Sequence, residues 1–419
     1  MIKFEPLQTL KFREFRNLIL GRLFMVISFR MLSTLLAWWI YILNREPGNP
    51  KAAAYAIGII GLSEVIPAVS MALYAGHVID NSEKKRLLLI TNYLYFFLIS
   101  LFILPAFFNF NLLHFSKKEV SYFIYGVIFF TGILRAFLGP IVSSMVPKTV
   151  PRESLPNAIT LTQGTFLTAS VFGHAIGGFL IALIEIKGTL LVILSLLLLA
   201  SFFYWQVNKH PSEIKEKADN VFDSMFEGMR YIFRNKTILG AVTLDLFAVL
   251  FGGIVALIPI FASDILKVGS QGFGMLNAAT DIGSMCVILT LSIFPLRRKQ
   301  GKILLFAVAG FGLCIIFFGI SKIFWLSFIL LVLSGMLDGI SVVVRHTILQ
   351  LKTPDEIRGR VLSANSIFIN SSNELGQFES GAMARIFGVI PSVVIGGSLT
   401  MLVAIFVGTR AKELREMEY

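Results

Sequence analysis

The sequence predicts an all-α membrane protein, with twelve transmembrane helices in two six-helix, pseudo-symmetric bundles. Three observations predict it. The chain of 419 residues is 56% hydrophobic and only 15% charged, where a soluble domain carries roughly 25% charged residues. Apolar runs of about twenty residues recur from end to end, and only helices satisfy their own backbone amides in lipid. The second half of the chain also repeats features of the first.

The apolar runs place helices at 18–43, 53–79, 87–108, 120–146, 157–184 and 188–207, then at 237–263, 270–296, 302–320, 323–350, 360–387 and 389–408. The first run, Leu18 to Leu43, is too long for a signal-peptide core and lacks a small-residue cleavage site, so it reads as a retained helix. This gives an N-terminal bundle at 1–207, a cytoplasmic linker at 208–236 and a C-terminal bundle at 237–419. Within the linker, Phe222, Met225, Phe226, Met229, Ile232 and Phe233 share one helical face, with Asp223, Glu227, Arg230 and Arg234 elsewhere around it. That spacing suits a helix lying in the membrane interface, or a cytoplasmic helix packed on the bundle.

Lys and Arg set the orientation. With the N-terminus inside, most of them fall in cytoplasmic segments, among them Lys11, Arg13, Arg16, Arg297, Arg298, Lys299, Arg358 and Arg360. The outer loops hold few, such as Arg45, Lys117, Lys187 and Lys267. Both termini are therefore expected in the cytoplasm of a bacterial inner-membrane protein. The net charge of +12 punctuates the helices and forms no single face, which argues against a nucleic-acid partner. Cys286 and Cys314 lie within apolar runs and read as structural thiols, with no metal site or disulfide framework.

The repeat is direct. Phe15-Arg16-Asn17 followed by Ile19-Leu20-Gly21 recurs as Phe233-Arg234-Asn235 followed by Ile238-Leu239-Gly240. At one constant offset, Gly132, Leu134, Pro151, Glu153, Gly173 and Gly178 fall on Gly335, Leu337, Pro354, Glu356, Gly376 and Gly381. Copies separated by six helices keep one orientation, so these are parallel repeats about an axis normal to the membrane.

Eight ionisable residues lie well inside the expected helices: Arg30, Glu64, Arg135, Asp245, Asp281, Asp338, Glu374 and Glu379. Each costs about 3 kcal/mol at the bilayer centre, so they should face protein or water. The third, sixth, ninth and twelfth helices carry none, as expected of helices that shield a wet interior. Arg30 and Glu64, near mid-depth on adjacent helices, read as a structural ion pair or as a substrate or coupling pair. Arg135 and Asp338 occupy equivalent repeat positions with opposite signs, suited to a pair across a cavity or to contacts within their own halves. Asp245 lies nearer the cytoplasmic end, where capping is common, and Asp281 is a further cavity candidate. His174, aligned with Gln377, titrates in a useful range but is more often simply hydrogen-bonded. Six acids against two arginines leave four negative charges without compensation, and a low-dielectric cavity will not hold such an excess. Protons, another cation or a basic substrate should therefore neutralise some of them.

Several stretches resemble the major facilitator superfamily. Gly76-His77-Val78-Ile79-Asp80, followed by Lys84-Lys85-Arg86, is similar to its G-x-x-x-D…(R/K)(R/K) motif, which implies a cytoplasmic latch at Gly76, Asp80, Lys84, Lys85 and Arg86. The matching loop, Pro295-Leu296-Arg297-Arg298-Lys299, lacks the aspartate. Arg135 with Gly139 resembles the R-x-x-x-G core of proton-coupled exporters. Gly164, Gly173 and Gly177 keep the spacing of the antiporter motif, although Gly178 stands where a proline is usual. Asn373-Glu374-Leu375-Gly376 with Phe378-Glu379-Ser380-Gly381, and the stretch Thr353 to Val361, resemble the branch of enterobactin exporters and macrolide-efflux proteins.

The resemblance implies the major facilitator fold and alternating access. The expected activity is proton-coupled efflux of a small amphiphile such as a drug or siderophore, by a monomer in the lipid bilayer. Glu374 is the first expected proton carrier and Glu379 the second, with Arg135 modulating release. Arg30, Glu64, Asp338, Asp281, Asp245 and His174 are the expected cavity residues. The rivals are a proton-coupled importer on the same fold and a lipid or lysolipid flippase. No nucleotide-binding motif G-x-x-x-x-G-K-[ST] occurs, and the histidines at 77, 114, 174, 210 and 346 are scattered, so neither ATP, a cofactor nor an enzyme's nucleophile–base set is expected.

Overall fold

A computed structural model describes residues 5–107, 116–209, 221–294, 296, 298–354 and 357–418. The long helices are α1 (Arg13–Asn44), α2 (Pro50–Asn81), α3 (Lys84–Ser100), α4 (Lys117–Thr149), α5 (Leu155–Trp205) and α6 (Val221–Arg234). They continue with α7 (Lys236–Gly252), α8 (Gly269–Ile293), α9 (Gln300–Ile320), α10 (Phe324–Lys352), α11 (Arg358–Phe387) and α12 (Val389–Arg410). Side-chain caps fix several starts. Ser116 and Glu119 form a reciprocal capping box on α4, and Asn235 accepts from the Ile238 amide at 3.1 Å on α7.

Nine of the described helices are long and apolar enough to cross a membrane, or ten if the bent pair 226–234 and 236–252 is one span. Two features separate this from the expected twelve. The expected helices 157–184 and 188–207 run together in α5, whose 51 residues would reach about 76 Å, far beyond a hydrocarbon core of about 30 Å. The run is interrupted at Glu185, which takes a non-helical conformation at φ 58° and ψ −173°. The other is α11, whose Asn365, Asn370, Asn373, Glu374, Gln377, Glu379 and Arg385 make it too polar to qualify by hydropathy.

The expected helix at 237–263 is also broken. α7 ends at Gly252, Gly253 is extended at φ −71° and ψ 110°, and the chain resumes as a helical turn at Ile258–Ile260 and a π-turn at Phe261–Ile265. The Ser380 hydroxyl donates to the Gly253 carbonyl, satisfying one group that the break releases.

The chain forms two compact units, one of Met1–Trp39 and Ile66–Ala218, the other of Ile40–Val65 and Asp219–Tyr419. Residues 40–65, which the repeat assigns to the N-terminal bundle, thus pack with the second unit. In that unit α6 sits on α11, with Gly228 against the Arg360 carbonyl, Glu227 paired with Arg360, and the Tyr231 hydroxyl donating to the Lys352 carbonyl at 2.6 Å. Ile232 is buried with Ile238, Leu349 and Val361, whereas Phe226 and Phe233 remain more than half exposed. The amphipathic helix is therefore fastened to the bundle and still presents an apolar edge. The side chains of Phe222, Asp223 and Met225 lie outside the described residues, as does most of the linker, 210–220.

Candidate functional site

The stretch Asn373–Gly381 of α11 lies between two neighbours in the second unit. Against α2, a Cβ added at Gly58 would stand 3.1 Å from the Gln377 carbonyl and 3.1 Å from Gly381 Cα. A Cβ at Gly61 would strike the Glu374 carbonyl and come within 2.7 Å of Gln377 Cβ. Against α7, a Cβ at Gly376 would meet the Val249 carbonyl at 2.8 Å, about one turn before the break at Gly253. Glycine is thus required on both sides of α11, because backbones this close leave no room for a methyl group. Glu374, Glu379 and Gln377 are half-buried in this seam, and the Gln377 Oε1 is buried without a hydrogen-bond partner among the described residues.

The other acids of the second unit sit nearby in sequence or on the neighbouring pair α8–α10. Glu64 is half-buried, three residues past Gly61. Asp281 and Asp338 flank a close approach of α8 to α10, where the Ser284 hydroxyl donates to the Gly335 carbonyl at 3.0 Å. Asp338 and Glu379 have no hydrogen-bond or ion-pair partner among the described residues. Asp245 differs, because it is buried and ion-paired with Arg345, whose side chain is 3% exposed. Its carboxylate is therefore committed to a buried pair and is not open to a cavity.

In the first unit, α5 packs on α1. A Cβ at Gly173 would come within 2.6 Å of Arg30 Cβ and 3.0 Å of the Ile27 carbonyl, and one at Gly177 within 3.2 Å of Met31 Cα. His174 is buried and shares a hydrogen bond of 2.9 Å with the Thr34 hydroxyl. Arg30 makes no ion pair among the described residues. Its guanidinium instead lies 5.5 Å from the Phe166 ring centroid, and Arg22 lies 5.8 Å from the same ring. Arg135 is exposed on α4.

Arg22 and Arg345 were not among the expected in-span charges. Both lie within a turn or two of an expected helix end, where hydropathy treats a cation as a flank. With them, the six acids face four arginines, and the excess on which the neutralisation argument rested falls from four to two.

The glycines of the motifs divide. Gly173 and Gly177 hold the α1–α5 seam, but a Cβ at Gly76, Gly139 or Gly164 would meet nothing within 4 Å. Lys84 and Lys85 are half-buried and Arg86 is exposed, with its amide donating to Glu83 at 3.3 Å, while the Asp80 side chain lies outside the described residues. A second cluster went unread in the sequence. The Tyr41 hydroxyl donates to Asp264 Oδ1 at 2.6 Å, and Arg45 stands 3.5 Å from the same oxygen. Its signal was the single acid of the π-turn, a geometry frequent at functional sites.

Comparison with known proteins agrees with this architecture. The transmembrane secretion effector family matches residues 37–419. A major-facilitator-type transporter of Bacillus subtilis, YfmI, is 23% identical over 356 residues, covering 82% of each chain. The enterobactin exporter EntS of Shigella boydii is 24% identical over 277 residues, and the match spans 64% of each protein, just under two thirds of the exporter. Among solved structures, a nucleoside transporter NupG variant superposes with a TM-score of 0.75 at 13% identity, covering 94% of this chain and 99% of that one. A D-xylose–proton symporter gives 0.71 at 16% identity, covering 98% and 99%. Packed helices, in-span charges and matched relatives meet in one conclusion: the chain is a transporter of the major facilitator superfamily, in the transmembrane secretion effector family.

Proposed function

We propose that this transporter exports a small amphiphilic compound in exchange for protons, with Glu379 and Glu374 of α11 carrying the protons. The observation that supports this most is the seam at 373–381. There a half-buried carboxylate, Glu379, has no partner among the described residues and adjoins the broken end of α7 through Ser380. An isolated charge of this kind is costly away from water, and a proton or a cationic group removes the cost. Discontinuous helices near the midplane are also where transporters of several folds bind ions. The enterobactin-exporter relatives support the outward direction and a small amphiphile as cargo. Positive-inside placement of Lys and Arg supports a bacterial inner membrane with both termini in the cytoplasm. Access would alternate as the repeat-related bundles rock about the cargo.

The test uses proteoliposomes with an imposed pH gradient. Glu379→Gln and Glu374→Gln should abolish uphill movement while leaving downhill exchange of cargo. Unchanged uphill transport by both variants would refute the carrier assignment. Everted against right-side-out vesicles separate export from import, and translocation of a fluorescent lipid reports a flippase.

A further inference from the structure

The first unit contains two intramembrane cations that pair with no carboxylate among the described residues. Arg22 and Arg30 are both half-buried on α1, and neither pairs with a carboxylate among the described residues. They stand eight residues apart, about 12 Å along the helix. The ring of Phe166 on α5 fills the gap, 5.8 Å from one guanidinium and 5.5 Å from the other. Cation–π contact is attractive but leaves both charges in place. The nearby side chains supply no anion. His174 lies beside Arg30 through Gly173 and is held by Thr34, while the Tyr204 ring packs against Gly21. The six in-span acids named above all belong to the other compact unit.

We propose that Arg22, Phe166 and Arg30 form a recognition site for an anionic aromatic cargo. The proposal deepens the exporter reading and rests on it. Guanidinium groups bind carboxylate or phenolate oxygens through paired N–H donors, and their planes also stack on rings. A planar anion can therefore set its charge on either arginine and its ring against Phe166. Such a cargo offsets the cost of holding two uncompensated guanidinium groups within the span. A cationic cargo would add to that cost.

The test compares three probes of one ring system on the purified full chain in detergent: naphthoate, its methyl ester and naphthylmethylammonium. Fluorescence titration should rank naphthoate roughly tenfold or more tighter than the other two. Arg22→Gln and Arg30→Gln should each weaken naphthoate roughly tenfold and leave the ester unchanged. Phe166→Leu should weaken naphthoate and the ester alike. Arg22→Lys and Arg30→Lys keep the charge, and should keep the preference for the anion even where a glutamine variant fails to fold. Equal affinity for all three probes, tighter binding of the ammonium, or glutamine variants with unaltered ratios would each overturn the proposal. Uptake of the same probes into proteoliposomes separates the two readings. Uphill movement of the ester or ammonium without dependence on Arg22 and Arg30 overturns this site and leaves the exporter. Arg-dependent binding of naphthoate with no uphill movement of any probe leaves the site and overturns the exporter.

Discussion

The α1–α5 seam of the first unit and the α7–α11 seam of the second are related by the sequence repeat and built alike. Gly173 lies against the Ile27 carbonyl, and its counterpart Gly376 against the Val249 carbonyl. Beside these glycines stand His174, hydrogen-bonded to Thr34, and its counterpart Gln377, whose Oε1 is unsatisfied among the described residues. The charges, however, are opposite. Around the first seam are Arg22 and Arg30, whereas along the second helix of the other seam are Glu374 and Glu379. The two seams share what close helix packing demands and differ in the charged side chains along them. On the proposed readings, one seam takes an anion and the other a proton or cation.

The sharpest break in this comparison comes from the buried ion pair of Asp245 with Arg345 in the second unit. Arg345→Met should destabilise the protein by about 3–5 kcal/mol, since it strands the Asp245 carboxylate in the interior. Thermal unfolding in detergent checks it, and adding Asp245→Asn should recover part of the loss. If the single variant unfolds like the parent, the pair is not holding the α7–α10 contact. The equivalence of the seams predicts that Gly173→Val and Gly376→Val each cost about 1–3 kcal/mol through overpacking, with similar shifts in unfolding temperature. A large effect at one and none at the other would show that only one seam is close-packed in the folded protein. The smallest effect belongs to Gly164→Ala. With open space at that position, alanine should be neutral or stabilise the helix by up to about 1 kcal/mol. Lost transport without lost stability would mean that Gly164 is needed in another conformation of the cycle.

Much of this was legible because lipid imposes a simple rule on sequence. Most expected helices are observed with shifts of a few residues, except that α3 closes at Ser100, and the glycine-rich motif at 373–381 became a close-packed seam. What escaped was set by tertiary partners. Arg345 reads as an ordinary flanking cation until Asp245 is brought beside it, and Arg22 until Phe166 is. The kink at Glu185 left no proline or glycine at its own position, although Gly188 follows it. The end of α7 was masked by the apolar Ile254 to Phe261, which continue the hydropathy run without continuing the helix. Glycine identity alone also could not separate contact from spacing, for Gly76 and Gly164 fit motifs as well as Gly173 does.

The membership of residues 40–65 bears on how the chain comes apart and together. The end of α1 and the first half of α2 are encoded with one repeat but complete the folded surface of the other, through Gly58 and Gly61 on α11 and Tyr41 on Asp264. Severed at the linker, the carboxy-terminal fragment would carry a vacant groove along α11, and the amino-terminal fragment the rod that fills it. Co-synthesised pieces should find each other through that lock and key, whereas either piece alone is left to the quality-control proteases of its membrane.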